Sequence, residues 1–433
     1  MYAGLKHLRS LFVLIVLAFS SFSNANTNAN DEDNITIIKC GTLIDGVSDA
    51  AKLNKYILIK DNIITAIKDE IDIPESATLI DLSSCTVLPG LIDAHTHICL
   101  NPEDEKPAIL YKSIPFRTLE GAYFARKTLE AGFTTLRDMD SEGAGFADVA
   151  IRDAIDQGLM IGPRLQVSTL AISITGGHMN IKGLAPGIDV PQEAAIADTP
   201  EEKLKQVRYQ IKHGANWIKI YTTGTTRHIN PKTFEPLTQM SLEEVKMIVE
   251  EAKRWDVPVA AHAYGGDGAA NAILGGVRSI EHGFFLSDNQ LQEMAKRGTY
   301  WIPTIKVYIP ESEARRNEPL RKKILSSHQH ALQKAMDLGV KIAFGTDAGA
   351  YTHAANADEF EVMVGYGMSP MQAIKSATIV AAELMRLEDR IGSIEPGKYA
   401  DIIAVKSNPL KDISALKDVS FVMKNGIAYK NNY

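Results

Sequence analysis

Cysteine is scarce. The 433 residues carry only Cys40, Cys85 and Cys99, too few for a disulfide framework in a chain of this length. Only a pairing of Cys40 with Cys85 in an oxidising compartment stays open. Positive charge is in deficit as well. The formal net charge is -7, and removing a leader that holds Lys6 and Arg9 but no acid leaves -9 on the rest. That balance argues against a nucleic-acid partner. Long apolar runs are missing too. The stretch from Leu11 to Phe19 is shorter than the ~20 residues a membrane-spanning helix needs. No cysteine follows it at once, which argues against a lipid-modified start.

That short run is nevertheless informative. Lys6, His7 and Arg9 precede it and Ser23-Asn24-Ala25 closes it with a small-x-small signature, which is the layout of a secretory signal peptide. The sequence therefore predicts a signal peptide over 1–25, cleavage near Ala25, export to the periplasm or beyond, and a mature form without a stable membrane anchor. Residues 26–34 are polar and unpatterned and read as a disordered lead-in.

Two kinds of pattern follow. Ile35-Thr36-Ile37-Ile38, Tyr56 to Ile59, Ile63 to Ile67 and Thr78 to Leu82 are short β-rich runs separated by turn residues. Tyr399 to Val405 and Phe421 to Tyr429 repeat that style, with Asn425-Gly426 as a hairpin signal. The two ends, 35–87 and 388–433, are expected to share one discontinuous β-sandwich domain. Between them, over 88–387, short apolar strands alternate with helical stretches, the signature of parallel β/α units. The strands after the first are expected at Thr134 to Arg137, Arg164 to Ser168, Trp217 to Tyr221, Val259 to Ala263, Ser279 to His282, Tyr300 to Pro303 and Ile342 to Thr346. Capping boxes at Thr199, Ser241 and Ser369 start three of the helices. Eight units in one run point to an α/β fold with a (β/α)8 TIM-like barrel, an open doubly wound sheet being the weaker alternative. The longest departure from the rhythm is the loop from Ala171 to Thr199, which carries Gly176-Gly177-His178.

The chemistry gathers at strand ends. Val87 to His97 is an apolar run that closes on His95-Thr96-His97, and on a strand residues i and i+2 point the same way. Two co-facing imidazoles at the carboxyl end of a buried strand make half of a metal site. Lys219, His262, His282 and Asp347 fall at the ends of later strands. A lysine on a central strand is costly as a bare cation. Reaction of its neutral amine with carbon dioxide would instead give a carbamate, an anionic oxygen ligand able to bridge two metals. His213, His328 and His330 fall on helical stretches and take no part in this reading. The set contains no thiolate and draws on separate strand ends, unlike a compact structural zinc cluster.

Pro89-Gly90-Leu91-Ile92-Asp93-Ala94-His95-Thr96-His97, Lys219, Ala261-His262-Ala263-Tyr264-Gly265, Ser279-Ile280-Glu281-His282-Gly283, Phe344-Gly345-Thr346-Asp347-Ala348-Gly349 and the late Gly392-to-Asp401 stretch together resemble the amidohydrolase superfamily of metal-dependent hydrolases. That resemblance implies two divalent metal ions, usually zinc. His95, His97 and Asp347 would hold one and His262 and His282 the other, with carboxylated Lys219 and a hydroxide bridging them and Asp347 shuttling the proton. Gly176-Gly177-His178, Tyr264, Asp358-Glu359-Phe360 and Gly367-Met368-Ser369-Pro370 resemble the branch of prolidase-like enzymes, Xaa-Arg/Lys dipeptidases and carboxypeptidase-type amidases. It implies that His178 contacts substrate and that Tyr264 meets the scissile carbonyl. Arg227, His228 and His353 are further candidate substrate contacts. The expected function is hydrolysis of a peptide-like amide in a small molecule or dipeptide, with release of a C-terminal amino acid. Opening of a cyclic amide, as in imidazolonepropionase-like relatives, is the runner-up, and a non-catalytic metal-binding protein is the bland alternative. Oligomeric state is open.

Overall fold

The computed structural model describes residues 35–433; the predicted signal peptide and lead-in lie outside the described residues. Strands Ile35–Leu43, Lys52–Lys60 and Ile63–Lys68 form an antiparallel meander. The next strand, Thr78–Pro89, is long enough to serve two partners. Its first half runs parallel to Ile35–Leu43, and its last residues pair antiparallel with Ile402–Val405, so Pro89 faces Ile402. In this way both chain ends enter one seven-stranded sheet, completed by Val419–Lys424 and Ile427–Asn431. Asn425 (φ 50°) and Gly426 (φ 75°) make the final hairpin, as their sequence implies. The sheet also curls back on itself. Ile64 N donates to Lys398 O at 2.9 Å and Gly397 N to Ile64 O at 2.8 Å. Ile38, Ile57, Leu82, Val87, Ile402 and Phe421 are buried inside this fold. Cys40 and Cys85 are buried there as unpaired thiols.

The apolar run that precedes the two histidines is split. Val87 to Pro89 belongs to the curled sheet, and Leu91–Thr96 opens the barrel. Gly90 is the joint: its N–H donates to Asp401 O at 2.8 Å. A Cβ there would meet Thr134 Oγ1 at 2.2 Å, so no larger residue fits without displacement.

Barrel strands follow at Phe133–Asp138, Arg164–Val167 with its continuation Ile172–Ser173, Ile218–Tyr221, Val259–Gly265, Ser279–Phe285 and Tyr300–Ile302. All successive pairings are parallel. Asn216 N and Trp217 N both reach Val167 O, which joins the third strand to the fourth. The predicted eighth strand is not a regular one. Residues 342–348 touch their neighbours by single bridges, Ile342 to Trp301 and Ala348 to Thr96. Ala343 N donates to Trp301 O, Ala94 N to Phe344 O and Asp347 N to His95 O, so the segment still closes the barrel between its seventh and first strands. The physical reason for its irregularity is a side chain. Thr346 gives its N–H to Asp93 Oδ1 at 3.2 Å and its hydroxyl to Asp93 Oδ2 at 2.6 Å, and Asp347 then turns into the left-handed region at φ 66°. Closure sets the open doubly wound alternative aside.

The Thr199, Ser241 and Ser369 boxes cap helices Pro200–Lys212, Leu242–Lys253 and Pro370–Ser376. Among the described residues no helix is long and apolar enough to cross a membrane.

Candidate metal centre

Each strand delivers its donor by parity. His95 and His97 emerge together from the first strand, with ring centroids 5.3 Å apart. Asp347 Oδ1 lies 3.1 Å from His97 Nε2 and 3.6 Å from His95 Nε2. One ligand atom from each of these three residues falls within 4.8 Å of the other two. Lys219 Nζ stands 3.5 Å from His95 Nε2. The His282 ring is 4.9 Å from that of His95 and 4.6 Å from that of His262. The six residues expected from sequence to hold metal are therefore neighbours. Five of them line one cavity of about 130 Å3 together with Glu142, His178, Met179, Tyr264 and Tyr308.

Burial sets the charge of this site. His95 and His262 are held well below the usual imidazole range by burial, aided at His95 by the Lys219 cation and at His262 by the neighbouring imidazoles of His178 and His282. His282 is pushed down to about 3, again chiefly by burial. Such rings are neutral lone-pair donors, the form a divalent metal takes. His97 differs: burial opposes its proton, but Asp347 and Glu142 hold it and raise the ring to about 10. Asp347 is buried too, yet the His97 hydrogen bond and the surrounding imidazoles hold its carboxyl far below the ordinary range. Lys219 is lowered by burial, which favours the neutral amine. Neutral imidazoles at His95, His262 and His282, one ionised carboxylate and a buried amine fit a divalent cation, whose binding would release the proton that His97 holds.

The supporting residues orient these donors. His95 Nδ1–H donates to Glu281 Oε2 at 2.6 Å, His97 Nδ1–H to Asp140 O at 3.1 Å, and His282 Nδ1–H to Thr304 Oγ1 at 2.7 Å. Glu281 is itself fixed by Arg137, whose NH2 reaches both carboxylate oxygens at 2.9 Å, and Arg137 packs 4.5 Å over Trp217. Outer partners of this kind fix ring orientation and tautomer. His282, Thr304, Asp347, Glu142 and Met179 all have positive φ, a concentration of backbone strain around one cavity of the sort that accompanies function.

His178 and Tyr264 reach this cavity. His178 stacks on Tyr221 at 4.2 Å and meets His262 edge-on at 4.2 Å, and its Nδ1 has no hydrogen-bond partner among the described residues. Tyr264 lies against Phe284, and Tyr308 donates to its hydroxyl at 3.4 Å. Arg227 and His228 do not reach it. They line a neighbouring pocket of about 470 Å3 that shares Met179 with the metal cavity. Both His228 nitrogens are engaged, by Thr225 N and by Lys182 Nζ. His353 is also placed elsewhere. The turn after Asp347 folds it onto helix Ile114–Glu130, where it stacks on Phe124 at 4.2 Å and donates to Leu100 O at 2.8 Å. That corrects its reading as a substrate contact. Sequence reasoning passed over Arg137 and Glu281. A buried arginine on a central strand carries the same cost that singled out Lys219, and that signal was available.

A protein-family model described as the amidohydrolase family matches residues 86–428. The chain belongs to the amidohydrolase family. A crystal structure of an Xaa-Pro dipeptidase with methionine bound in its active site is 38% identical, with a TM-score of 0.84, and covers 92% of this chain and 100% of that one. Ochratoxinase of Aspergillus niger is 32% identical over 434 aligned residues, covering 93% of this chain and 88% of the relative. Imidazolonepropionase of Symbiobacterium thermophilum is 25% identical over 357 residues, covering 76% and 77%. As an amidohydrolase with these relatives, the chain is a hydrolase acting on carbon–nitrogen bonds.

The Arg137–Glu281–His95 chain makes a direct prediction. Glu281→Gln keeps the shape and removes the charge. Breaking a buried ion pair costs about 3–5 kcal/mol, and loss of an outer partner weakens metal binding about 10–100-fold. Thermal melting and metal titration should show both losses. Wild-type values for the two would mean that Glu281 does not organise the centre.

Proposed function

We propose that this amidohydrolase is an exported enzyme of two zinc ions that cleaves a peptide-like amide and releases a C-terminal amino acid. The observation that carries the reading is the convergence of His97, His262, His282, Asp347 and buried Lys219 on one small cavity at the carboxyl end of the barrel, with His95 Nε2 3.5 Å from Lys219 Nζ. His95, His97 and Asp347 would hold one ion and His262 and His282 the other, with Lys219, carboxylated at Nζ, between them. When bound, such a pair polarises the scissile carbonyl and brings the ionisation of water near neutral pH.

The chain's own residues supply the rest. Burial lowers Lys219 and so increases the share of its neutral amine, the form that adds carbon dioxide; the addition forms the N–C bond and releases one proton. Asp347, ionised and beside His97, accepts the proton of the attacking water and passes it to the leaving nitrogen. Tyr264, buried and braced by Tyr308, directs its hydroxyl at the carbonyl oxygen as the carbon becomes tetrahedral. His178 offers its unpartnered Nδ1 to the substrate amide. Beyond Met179, Arg227 and Lys182 sit in one pocket and supply cations for the carboxylate of the departing amino acid. The small cavity limits the acyl side to a single residue or a compact acid. Similarity to an imidazolonepropionase supports a second reading, opening of a cyclic amide; a library holding both kinds of amide separates the two.

Two measurements test the metal chemistry. Elemental analysis of zinc-grown protein should give two ions per chain, and the mass of the Lys219 peptide under non-acidic conditions should include one added carbon dioxide. One ion and an unmodified lysine would remove the binuclear mechanism. Asp347→Asn keeps an oxygen donor but loses the base, so kcat should fall by about 10²–10⁴-fold while metal is largely retained. Near-normal turnover with metal bound would acquit Asp347 as the shuttle.

Export rests on Lys6 to Ala25 alone. N-terminal sequencing of the active enzyme should begin near Asn26. A start at Met1 or Tyr2 would overturn that part of the proposal.

A further inference from the structure

Glu142 stands in the metal cavity with a carboxylate that nothing in the preceding mechanism uses. It follows the second barrel strand, lines the cavity beside His97 and is only 2% exposed. Its backbone is clamped in place. Glu142 N donates to Asp140 Oδ1 at 3.0 Å, its φ is +52°, and the next residue, Gly143, has a φ of +78°, which favours glycine. A non-glycine residue fixed in the left-handed region at a cavity wall is a mark of function.

The side chain is only half satisfied. Oε1 lies 3.4 Å from His97 Nδ1, but that ring has one proton to give at Nδ1 and a nearer acceptor, Asp140 O, at 3.1 Å. Oε2 is buried and has no hydrogen-bond partner among the described residues. Burial first, and then the like charges of Asp140, Glu193 and Asp347, push the Glu142 carboxyl up and oppose its charge; only His97 favours it. Arg117, buried beneath the same turn, gives its NH2 to the carbonyls of Cys99 and Ser141 instead. A buried carboxylate oxygen in such a wall is costly until a cation meets it.

The position narrows the choice of cation. In a dipeptide the α-nitrogen is separated from the scissile carbonyl carbon by one atom, so its partner must stand next to the groups that hold the reacting centre. Glu142, in contact with His97, meets that condition; the terminal cation of a lysine or arginine side chain would lie several bonds further out. The basic residues Lys182 and Arg227 lie past Met179 in the adjoining pocket, which Glu105 and Glu193 also line.

We propose that Glu142 receives the free α-ammonium group of the substrate's N-terminal residue, which makes unblocked dipeptides, rather than N-acyl amino acids, the substrates of this site. The inference rests on the amide-hydrolysis reading above, and its test keeps the two separable.

The metal-loaded enzyme is assayed against a panel of dipeptides and their N-acetyl derivatives, with kcat and KM measured for each pair. The wild type should favour the unblocked member by about 10–100-fold in kcat/KM, the worth of one charge-assisted hydrogen bond. Glu142→Gln should lower kcat/KM for the unblocked substrate by about 10–100-fold more than for its N-acetyl partner and so abolish the preference, while the N-acetyl rate reports whatever loss passes through His97. Glu142→Asp, which keeps the charge, should preserve part of the preference. A wild type that cleaves N-acetyl substrates equally well or better overturns the inference while leaving the amidase reading intact. Equal losses on both members in Glu142→Gln also overturn it, because a residue acting only through His97 cannot tell the two apart. If neither variant folds, the wild-type ratio decides, together with inhibition by the free and the N-acetylated N-terminal product. Inhibition that is no stronger for the free amine is a negative result. Failure to cleave either class removes the amidase reading first, and this inference with it.

Discussion

The centre depends on one buried chain of charge, Arg137 to Glu281 to His95. It ties the second, sixth and first barrel strands together across residues that are 144 and 186 positions apart in sequence. Neither Arg137 nor Glu281 is exposed to solvent, so the pair is not an economical way to hold a barrel: desolvation consumes much of the Coulombic gain, and an apolar pair of similar volume is often as stable. What an apolar pair lacks is direction. Glu281 Oε2 faces Nδ1 of His95 and turns Nε2 toward Lys219 and Asp347. Ser279 donates to the same carboxylate, and Arg137 spends its Nε on Ala94 O, one residue before the histidine it helps to aim. The interaction costs stability and contributes orientation, which is the exchange found at metal centres.

A second buried acid does the same for the closing segment. Asp93 accepts from His95 N, Thr346 N, Thr346 Oγ1 and Asn356 Nδ2. It thereby interrupts the strand that was expected there and throws Asp347 into its left-handed conformation beside the histidines. A third, Glu359, accepts from Ile305 N and Lys306 N at 2.7 Å each. That holds the turn carrying Thr304, the hydrogen-bond partner of His282, and Tyr308, the partner of Tyr264. In each case a carboxylate substitutes for ladder hydrogen bonds where a strand has to stop and present a side chain.

These same substitutions mark where the sequence stopped being legible. Strand parity made His95 and His97 co-facing, and the alternation of apolar runs with capped helices made the barrel countable, because both are local patterns. Asn425-Gly426 announced its hairpin for the same reason. The change of domain was expected between residues 87 and 88, inside the apolar run from Val87 to His97; the approach of Thr134 and the bond to Asp401 O set the joint at Gly90. The irregular eighth strand was hidden because its cause is a side chain 253 residues away. His353 was named as a candidate substrate contact, but stacking on Phe124 carries it out of the cavity. Long-range polar contacts, not propensities, account for each miss.

The walls of the cavity carry the remaining argument. Its aromatic side is built by contacts between rings: His178 on Tyr221, His262 against His178 and Tyr264, Tyr264 on Phe284, and Tyr308 edge-on to Phe284. Rings held this way have few alternative rotamers, so the shape is preorganised before any ligand arrives. The acidic side is arranged differently. Tyr221 donates to Asp140 Oδ2 at 2.8 Å, and the same tyrosine supports His178, so a shift of Asp140 would be transmitted to both the imidazole that faces the substrate and the carbonyl that orients His97. The small volume follows from this arrangement rather than from the barrel itself. Removing the Tyr221 hydroxyl would loosen a contact between two walls, while removing the ring would open the cavity at His178, and the two changes should therefore act on orientation and on size separately.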